Sequence, residues 1–283
     1  MTTALDNLPP LRDVLQKHGL FAKKSLGQHF LLDLNLTDKI ARLAAPHPII
    51  LEVGPGPGGL TRSLLQAGAE HVFAIEKDER FLPPLQDIVD VSEGRLSVNN
   101  ADALRVNPAA LTDIRPMRIC ANLPYNVGTK LLINWLTASP VFWDRMVLML
   151  QKEVAERVVA APGSKAYGRL AVLAGSIVHG HISFDVPASA FTPPPKVDSA
   201  VIVLDILPED KRFADLATLG QVTAAAFGQR RKMLRKSLKQ LANARNISLD
   251  AWLETAEINP TDRPETVDIT GFHRLAENLP PLG

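Results

Sequence analysis

Between about Leu31 and Leu150 short apolar runs alternate with amphipathic stretches, which predicts strands and helices in turn. Strands are expected over residues 49–53, 71–75, 95–98, 117–121 and 146–150, with helices over 60–67, 78–89 and 127–136. Strands that read apolar throughout and alternate with helices predict a parallel sheet covered on both faces. Two later strands, 182–186 and 197–207, flank Pro187 and the run Pro193-Pro194-Pro195 and are close enough to form an antiparallel hairpin at the sheet edge. Beyond Pro208 only helices are expected, over 212–227, 232–244, 249–256 and 271–278. The expected organisation is an extension over 1–22, an α/β domain over 23–207 and a small all-helical domain over 208–283.

Composition changes this picture little, but charge placement changes it more. A chain of 283 residues with 46% hydrophobic and 22% charged residues is that of a soluble globular protein with a sizeable core. The net charge of +1 conceals an uneven distribution. No acidic residue lies between Asp215 and Asp250, whereas Arg230, Arg231, Lys232, Arg235, Lys236, Lys239 and Arg245 all do. Such a run suits a polyanion better than a solvated helix face, and it lacks the aromatic anchors of a membrane-surface helix. The single cysteine, Cys120, reads as a small buried strand residue. Residues 1–20 are mixed and interrupted by Pro9 and Pro10, and no apolar run is long enough to span a bilayer. A cytoplasmic protein, working as a monomer and away from membranes, is expected.

The candidate chemistry lies at strand ends. After the first strand, Glu52-Val53-Gly54-Pro55-Gly56-Pro57-Gly58-Gly59 satisfies both G-x-G-x-G and G-x-G-x-x-G. Glycines let a backbone turn tightly against a nucleoside-bearing cofactor, in dehydrogenases and methyltransferases alike. The interleaved prolines remove two N–H donors that a pyrophosphate would want, which favours a cofactor without phosphates. Glu76 ends the second strand where an acid can take both hydroxyls of a ribose, and Asp102 ends the third where it can accept from a cofactor's adenine amine or cap a turn.

Asn122-Leu123-Pro124-Tyr125 ends the fourth strand. An exocyclic amine on a purine is a poor nucleophile because its lone pair is delocalised into the ring. Two oxygens, here assigned to Asn122 Oδ1 and the Pro124 carbonyl, would accept its hydrogens and localise that pair. Tyr125 would stack on the base, and Phe191 would either cover the other face or fill the core. The combination points to methylation of adenine N6, with catalysis mainly by positioning. The segment Lys23-Lys24-Ser25-Leu26-Gly27-Gln28-His29-Phe30-Leu31 would line the cofactor entrance or pack on the sheet.

Taken in order, several segments resemble the small-subunit rRNA adenine dimethyltransferases of the KsgA/RsmA family. They are Ser25 to Leu31, Glu52 to Thr61, Ile75-Glu76, Asp102-Ala103-Leu104, Asn122 to Tyr125, Tyr167-Gly168-Arg169-Leu170, and Phe191 to Ser199 with the basic segment from Phe227. The resemblance implies a Rossmann-like class I methyltransferase domain that uses S-adenosyl-L-methionine, followed by the small helical domain. It implies cofactor contacts at His29, Leu31, Gly56, Glu76, Asp102 and Asn122, beside Gly54 of the glycine turn, while the acid-free basic run itself points to RNA contacts at Arg230, Arg231, Lys232, Arg235 and Lys236. It also implies dimethylation of two adjacent adenosines near the 3′ end of 16S rRNA, within the 30S subunit or its precursor. His29 stands where many members carry Asn.

Other readings remain open. A nicotinamide-dependent dehydrogenase would share Gly54, Gly56, Gly59 and Glu76 but leave the Asn-Leu-Pro-Tyr segment without purpose. An Erm-like 23S rRNA methyltransferase, a DNA adenine methyltransferase and a non-catalytic RNA-binding assembly factor are the others.

Overall fold

The computed structural model describes residues 4–23 and 27–281. Lys24, Ser25 and Leu26 of the amino-terminal basic segment lie outside the described residues, as do Met1 to Thr3 of the extension. The chain packs as two units, residues 1–155 with 181–205, and residues 156–180 with 206–283.

The first unit opens with α1 (Leu11–Lys17), the short strand β1 (Phe30–Leu31) and α2 (Leu34–Ala44). It continues through β2 (His47–Val53), α3 (Gly59–Gln66), β3 (Ala69–Glu76), α4 (Leu82–Val91) and β4 (Leu96–Asn100). Then come β5 (Met117–Asn122), α5 (Gly128–Leu136) and β6 (Trp143–Gln151). The late strands are β7 (Val178–Val186), β8 (Phe191–Thr192) and β9 (Ser199–Ile206).

Seven strands form one sheet in the order β4-β3-β2-β5-β6-β9-β7. From β4 to β6 neighbours run parallel, and β9 runs antiparallel to β6. The parallel strands are apolar because both faces are covered: Ile50, Leu51, Val72 and Val147 are fully buried. The two late strands do lie side by side at the sheet edge, as expected. The pairing of β1 with β8, Phe30 opposite Thr192 and Leu31 opposite Phe191, was not foreseen.

Local chemistry explains why these elements begin and end where they do. Asp33 caps α2 by accepting from Asn35 N at 2.9 Å. Two arginines from the sheet close the other end: Arg118 Nη1 donates to Ala44 O at 2.9 Å and Arg145 Nη1 to Leu43 O at 3.2 Å. Gly58 opens α3 with φ +86°, and a Cβ there would come within 2.2 Å of Ile88 Cδ1. Only glycine fits that position. The outcome is that β2, β3 and β5 all end at one edge, on either side of the point where strand order reverses.

The second unit contains helices alone beyond residue 206: α8 (Leu216–Gly228), α9 (Leu234–Ser237), α10 (Lys239–Ala244), α11 (Leu249–Thr255) and α12 (Ile269–Glu277). It also takes in the end of α6 (Lys152–Val158) and all of α7 (Arg169–Gly175). The sequence reading assigned 156–180 to the α/β domain. Packing groups it instead with the carboxyl-terminal helices, because Tyr167, Ala171 and Val172 are buried in one core with Val222, Leu234, Trp252 and Phe272.

A second departure concerns the helix expected over 232–244. Met233 is extended (φ −65°, ψ 152°), and the N–H groups of Leu234 and Arg235 donate to Asp262 O at 2.8 Å and Pro260 O at 3.1 Å. Those carbonyls draw the chain out of helix, so Arg230, Arg231 and Lys232 sit in an exposed turn.

Candidate active site

A cleft opens at the carboxyl ends of β2, β3 and β5, lined by His29, Leu31, Gly56, Glu76, Asp102 and Asn122. Gly54 (φ +71°) and Gly56 (φ +54°) occupy the left-handed region, which keeps their backbone bare at the cleft wall.

Glu76 is 5% exposed, and both of its oxygens are held. Gly56 N donates to Oε2 at 3.1 Å and Asp78 N to Oε1 at 2.7 Å. Burial pushes its carboxyl up from the ordinary range, and these backbone donors oppose that shift. Each oxygen retains lone-pair capacity for a further donor. Asp102 is tied down differently: Lys77 Nζ donates to Oδ2 at 2.9 Å and Leu104 N to Oδ1 at 3.1 Å. The Lys77 bond, followed by that of Leu104, draws its carboxyl below the usual value.

Two carboxyls that the sequence reading gave no role support this wall. Glu52, 1% exposed at the end of β2, accepts from Thr61 Oγ1 at 2.6 Å. Burial raises its pKa to about 8, so it is protonated at neutral pH. Asp78 accepts from Arg80 Nη2 at 2.6 Å and Gln28 Nε2 at 3.0 Å, while Arg80 Nη1 reaches Phe21 O at 3.3 Å. The Arg80 bond above all brings the Asp78 pKa to about 2. The same loop that anchors Glu76 therefore anchors the segment carrying Gln28 and His29. Neither pairing carried a sequence signal beyond the charged run Lys77 to Arg80.

At the end of β5 the amide of Asn122 is oriented by its surroundings. Its Nδ2 donates to His29 O at 3.4 Å, and no described donor occupies Oδ1. Tyr125 OH is 2.7 Å from Ser199 Oγ, and its ring lies 5.4 Å from the His29 ring at a 30° tilt. His29 Nδ1 is 2.8 Å from Pro193 O; a carbonyl only accepts, so Nδ1 is the donor in that bond.

Two candidate residues meet surroundings that change their reading. The Pro124 carbonyl accepts from Val127 N at 3.1 Å and Gly128 N at 2.9 Å as α5 begins, which occupies both lone pairs. The carbonyl of Leu123, a cleft-lining residue, accepts from no described donor and is the free oxygen beside Asn122. Phe191 is 3% exposed in the core opposite Leu31 and does not line the cleft. The aromatic partner actually present at Tyr125 is His29.

Comparison with known proteins gives this arrangement a family. Residues 19–279 match the ribosomal RNA adenine dimethylase family. The chain belongs to that family. It is 58% identical over 276 residues to ribosomal RNA small subunit methyltransferase A of Maricaulis maris, covering 96% of each chain. It is 56% identical to the protein of the same name from a Ruegeria species, over 98% of this chain and 99% of that one. Among solved structures, a dimethyladenosine transferase from Plasmodium falciparum superposes with a TM-score of 0.72 at 25% identity, over 87% of this chain and 96% of that one. The 23S rRNA methyltransferase ErmE, at 24% identity and a TM-score of 0.67 over 88% of this chain and 99% of that one, shares the fold.

The protein is thus an S-adenosylmethionine-dependent rRNA adenine dimethyltransferase with a class I methyltransferase fold. The cleft fits that cofactor. A buried carboxylate at the end of β3 suits a ribose diol, and the bare turn before α3 carries prolines where a phosphate-binding loop would present N–H groups. Among the described residues no helix is long and apolar enough to cross a membrane.

Proposed function

We propose that the protein dimethylates N6 of two adjacent adenosines in the 3′-terminal hairpin of 16S rRNA, on the small ribosomal subunit or its precursor. The observation that carries this reading is the Asn122 amide, held through Nδ2 by the His29 carbonyl with Oδ1 left to accept. The Asn122 Oδ1 and the Leu123 carbonyl each take one hydrogen of the target amine, which returns its lone pair to nitrogen and fixes its direction. Tyr125, its hydroxyl anchored at Ser199, offers its ring to a base drawn out of its stack. Glu76 would hold the cofactor's ribose and Asp102 would meet its adenine, with Gly54, Gly56, His29 and Leu31 lining the remainder. S-adenosylmethionine supplies an electrophilic methyl group. The methylated ammonium is strongly acidic and loses its proton to solvent, so none of these residues need be a strong base.

Support for the small-subunit target comes from the relatives named small subunit methyltransferase A, at 54–58% identity across nearly the whole chain. Incubating 30S particles that lack the modification with methyl-labelled cofactor, then mapping the labelled nucleosides, tests the reading. Dimethyladenosine at two neighbouring positions near the 3′ end of 16S rRNA is expected. No label in 16S rRNA, with label appearing instead in parallel incubations with 23S rRNA or DNA, would redirect it.

A further inference from the structure

The exposed turn over 229–233 does not stand alone. Arg230 Nη2 donates to Lys165 O at 2.8 Å and to Ser164 O at 3.4 Å, fastening that turn to the loop before α7 within the second unit. Both partners of this contact are free of acid in sequence: residues 157–180 contain no Asp or Glu, and neither do residues 216–249. Lys165, Arg169, Arg231, Lys232, Arg235 and Lys236 are all exposed, and among the described residues none of them pairs with a carboxylate. Asp262 and Glu265 meet these loops through backbone carbonyls that accept from Leu234 N and Gly163 N, and the Asp268 charge reaches Tyr167. The Glu265 Oε2 is itself buried.

We propose that Lys165 and Arg169 belong to the phosphate-binding surface with Arg231 and Lys232, and that Arg230 is a positioning residue that holds the two loops together. The occupant is the RNA backbone, which demands several uncompensated cations on one connected surface rather than base-reading side chains. This inference rests on the ribosomal RNA reading above. Arg230 acts through the Ser164 and Lys165 carbonyls, so its contribution differs in kind from that of a phosphate contact.

The test measures binding of the full chain to unmodified 30S particles over a range of salt concentrations, with thermal unfolding as a control. Lys165→Glu with Arg169→Glu is expected to weaken binding by ~10-fold or more and to lower the salt slope by about two, as loss of two phosphate contacts requires. The milder pair Lys165→Gln with Arg169→Gln should do the same to a smaller extent if the Glu variant folds poorly. Arg231→Glu with Lys232→Glu serves as reference. Arg230→Ala should weaken binding with its salt slope unchanged, and a slope reduced by about one would make it a direct contact and overturn its positioning role. Wild-type affinity and slope in the 165/169 variants, with the 231/232 variant impaired, would overturn the larger surface and leave the RNA reading standing. Wild-type behaviour in every variant would remove both.

Discussion

The catalytic cleft of the first unit and the basic turn of the second treat their cations differently. In the first unit, several arginines and lysines pair with acids: Arg80 with Asp78 at 2.6 Å, Lys77 with Asp102 at 2.9 Å, Arg145 with Asp205 at 2.6 Å and Lys152 with Asp185 at 2.6 Å. Several also hold backbone carbonyls, so their charge serves geometry. In the second unit Arg212 and Arg274 lie near Glu209 and Glu257 at 3.9 and 3.7 Å, but among the described residues the cations around 165 and 230–236 face solvent without carboxylate partners. A net charge of +1 is therefore the sum of −2 over the first unit (17 Lys and Arg against 19 Asp and Glu) and +3 over the second (14 against 11). The difference teaches that total charge says little about a polyanion partner, whereas pairing says a good deal.

The sharpest way to break this division is to disturb the first unit without touching charge. Asn122→Ala should lower single-turnover methyl transfer by ~10²–10³-fold, the usual range for losing one preorganised hydrogen-bonding group. Cofactor binding, measured by calorimetry, should remain detectable. A variant with wild-type rate would remove Asn122 from the mechanism.

The buried acids sharpen the comparison through stability. Glu52 has a folded pKa of about 8 against an ordinary 4.5, so the folded state binds the extra proton. Its contribution is whole below pH 4.5, declines above it, and is lost as pH rises through 8. Glu52→Gln mimics the protonated form and should flatten the alkaline fall in denaturation free energy between pH 6 and about 9, by a few kcal/mol. An unchanged alkaline limb would mean that Glu52 ionises freely.

Asp78 has the opposite sign and a smaller effect. Its folded pKa of about 2 lies below the ordinary 3.8, so its contribution is present above 3.8 and lost as pH falls through 2. Asp78→Asn should cost roughly 2 kcal/mol at neutral pH and little near pH 2, read from urea curves at the two pH values. Equal loss at both would place the effect in packing rather than in the Arg80 pair.

Much of the fold was legible because the parallel strands are apolar on both faces and end in glycine, acid or amide. Glu76 was singled out by position and Asn122 by position and by the Pro and Tyr that follow it, and they are the last residues of β3 and β5. What escaped depends on partners far away in sequence. Nothing local reveals that Phe191 sits opposite Leu31, or that the carbonyls of Pro260 and Asp262 unwind residues 230–233; Pro124 O is the exception, consumed close by in sequence by Val127 N and Gly128 N where α5 starts. Tyr167 and Val172 likewise read as part of an α/β pattern, and only packing against Val222 and Phe272 moves them to the second core. The Glu52–Thr61 pair hid inside the glycine motif, where attention falls on the glycines.

The division of labour is tested most directly by single-turnover methyl transfer to unmodified 30S particles as particle concentration is raised, for Asn122→Ala and for Arg231→Glu with Lys232→Glu side by side. The account predicts that the charge variant climbs to the wild-type rate at saturation, while the amide variant stays slow at every concentration. The reverse pattern, or full recovery by both, would contradict it.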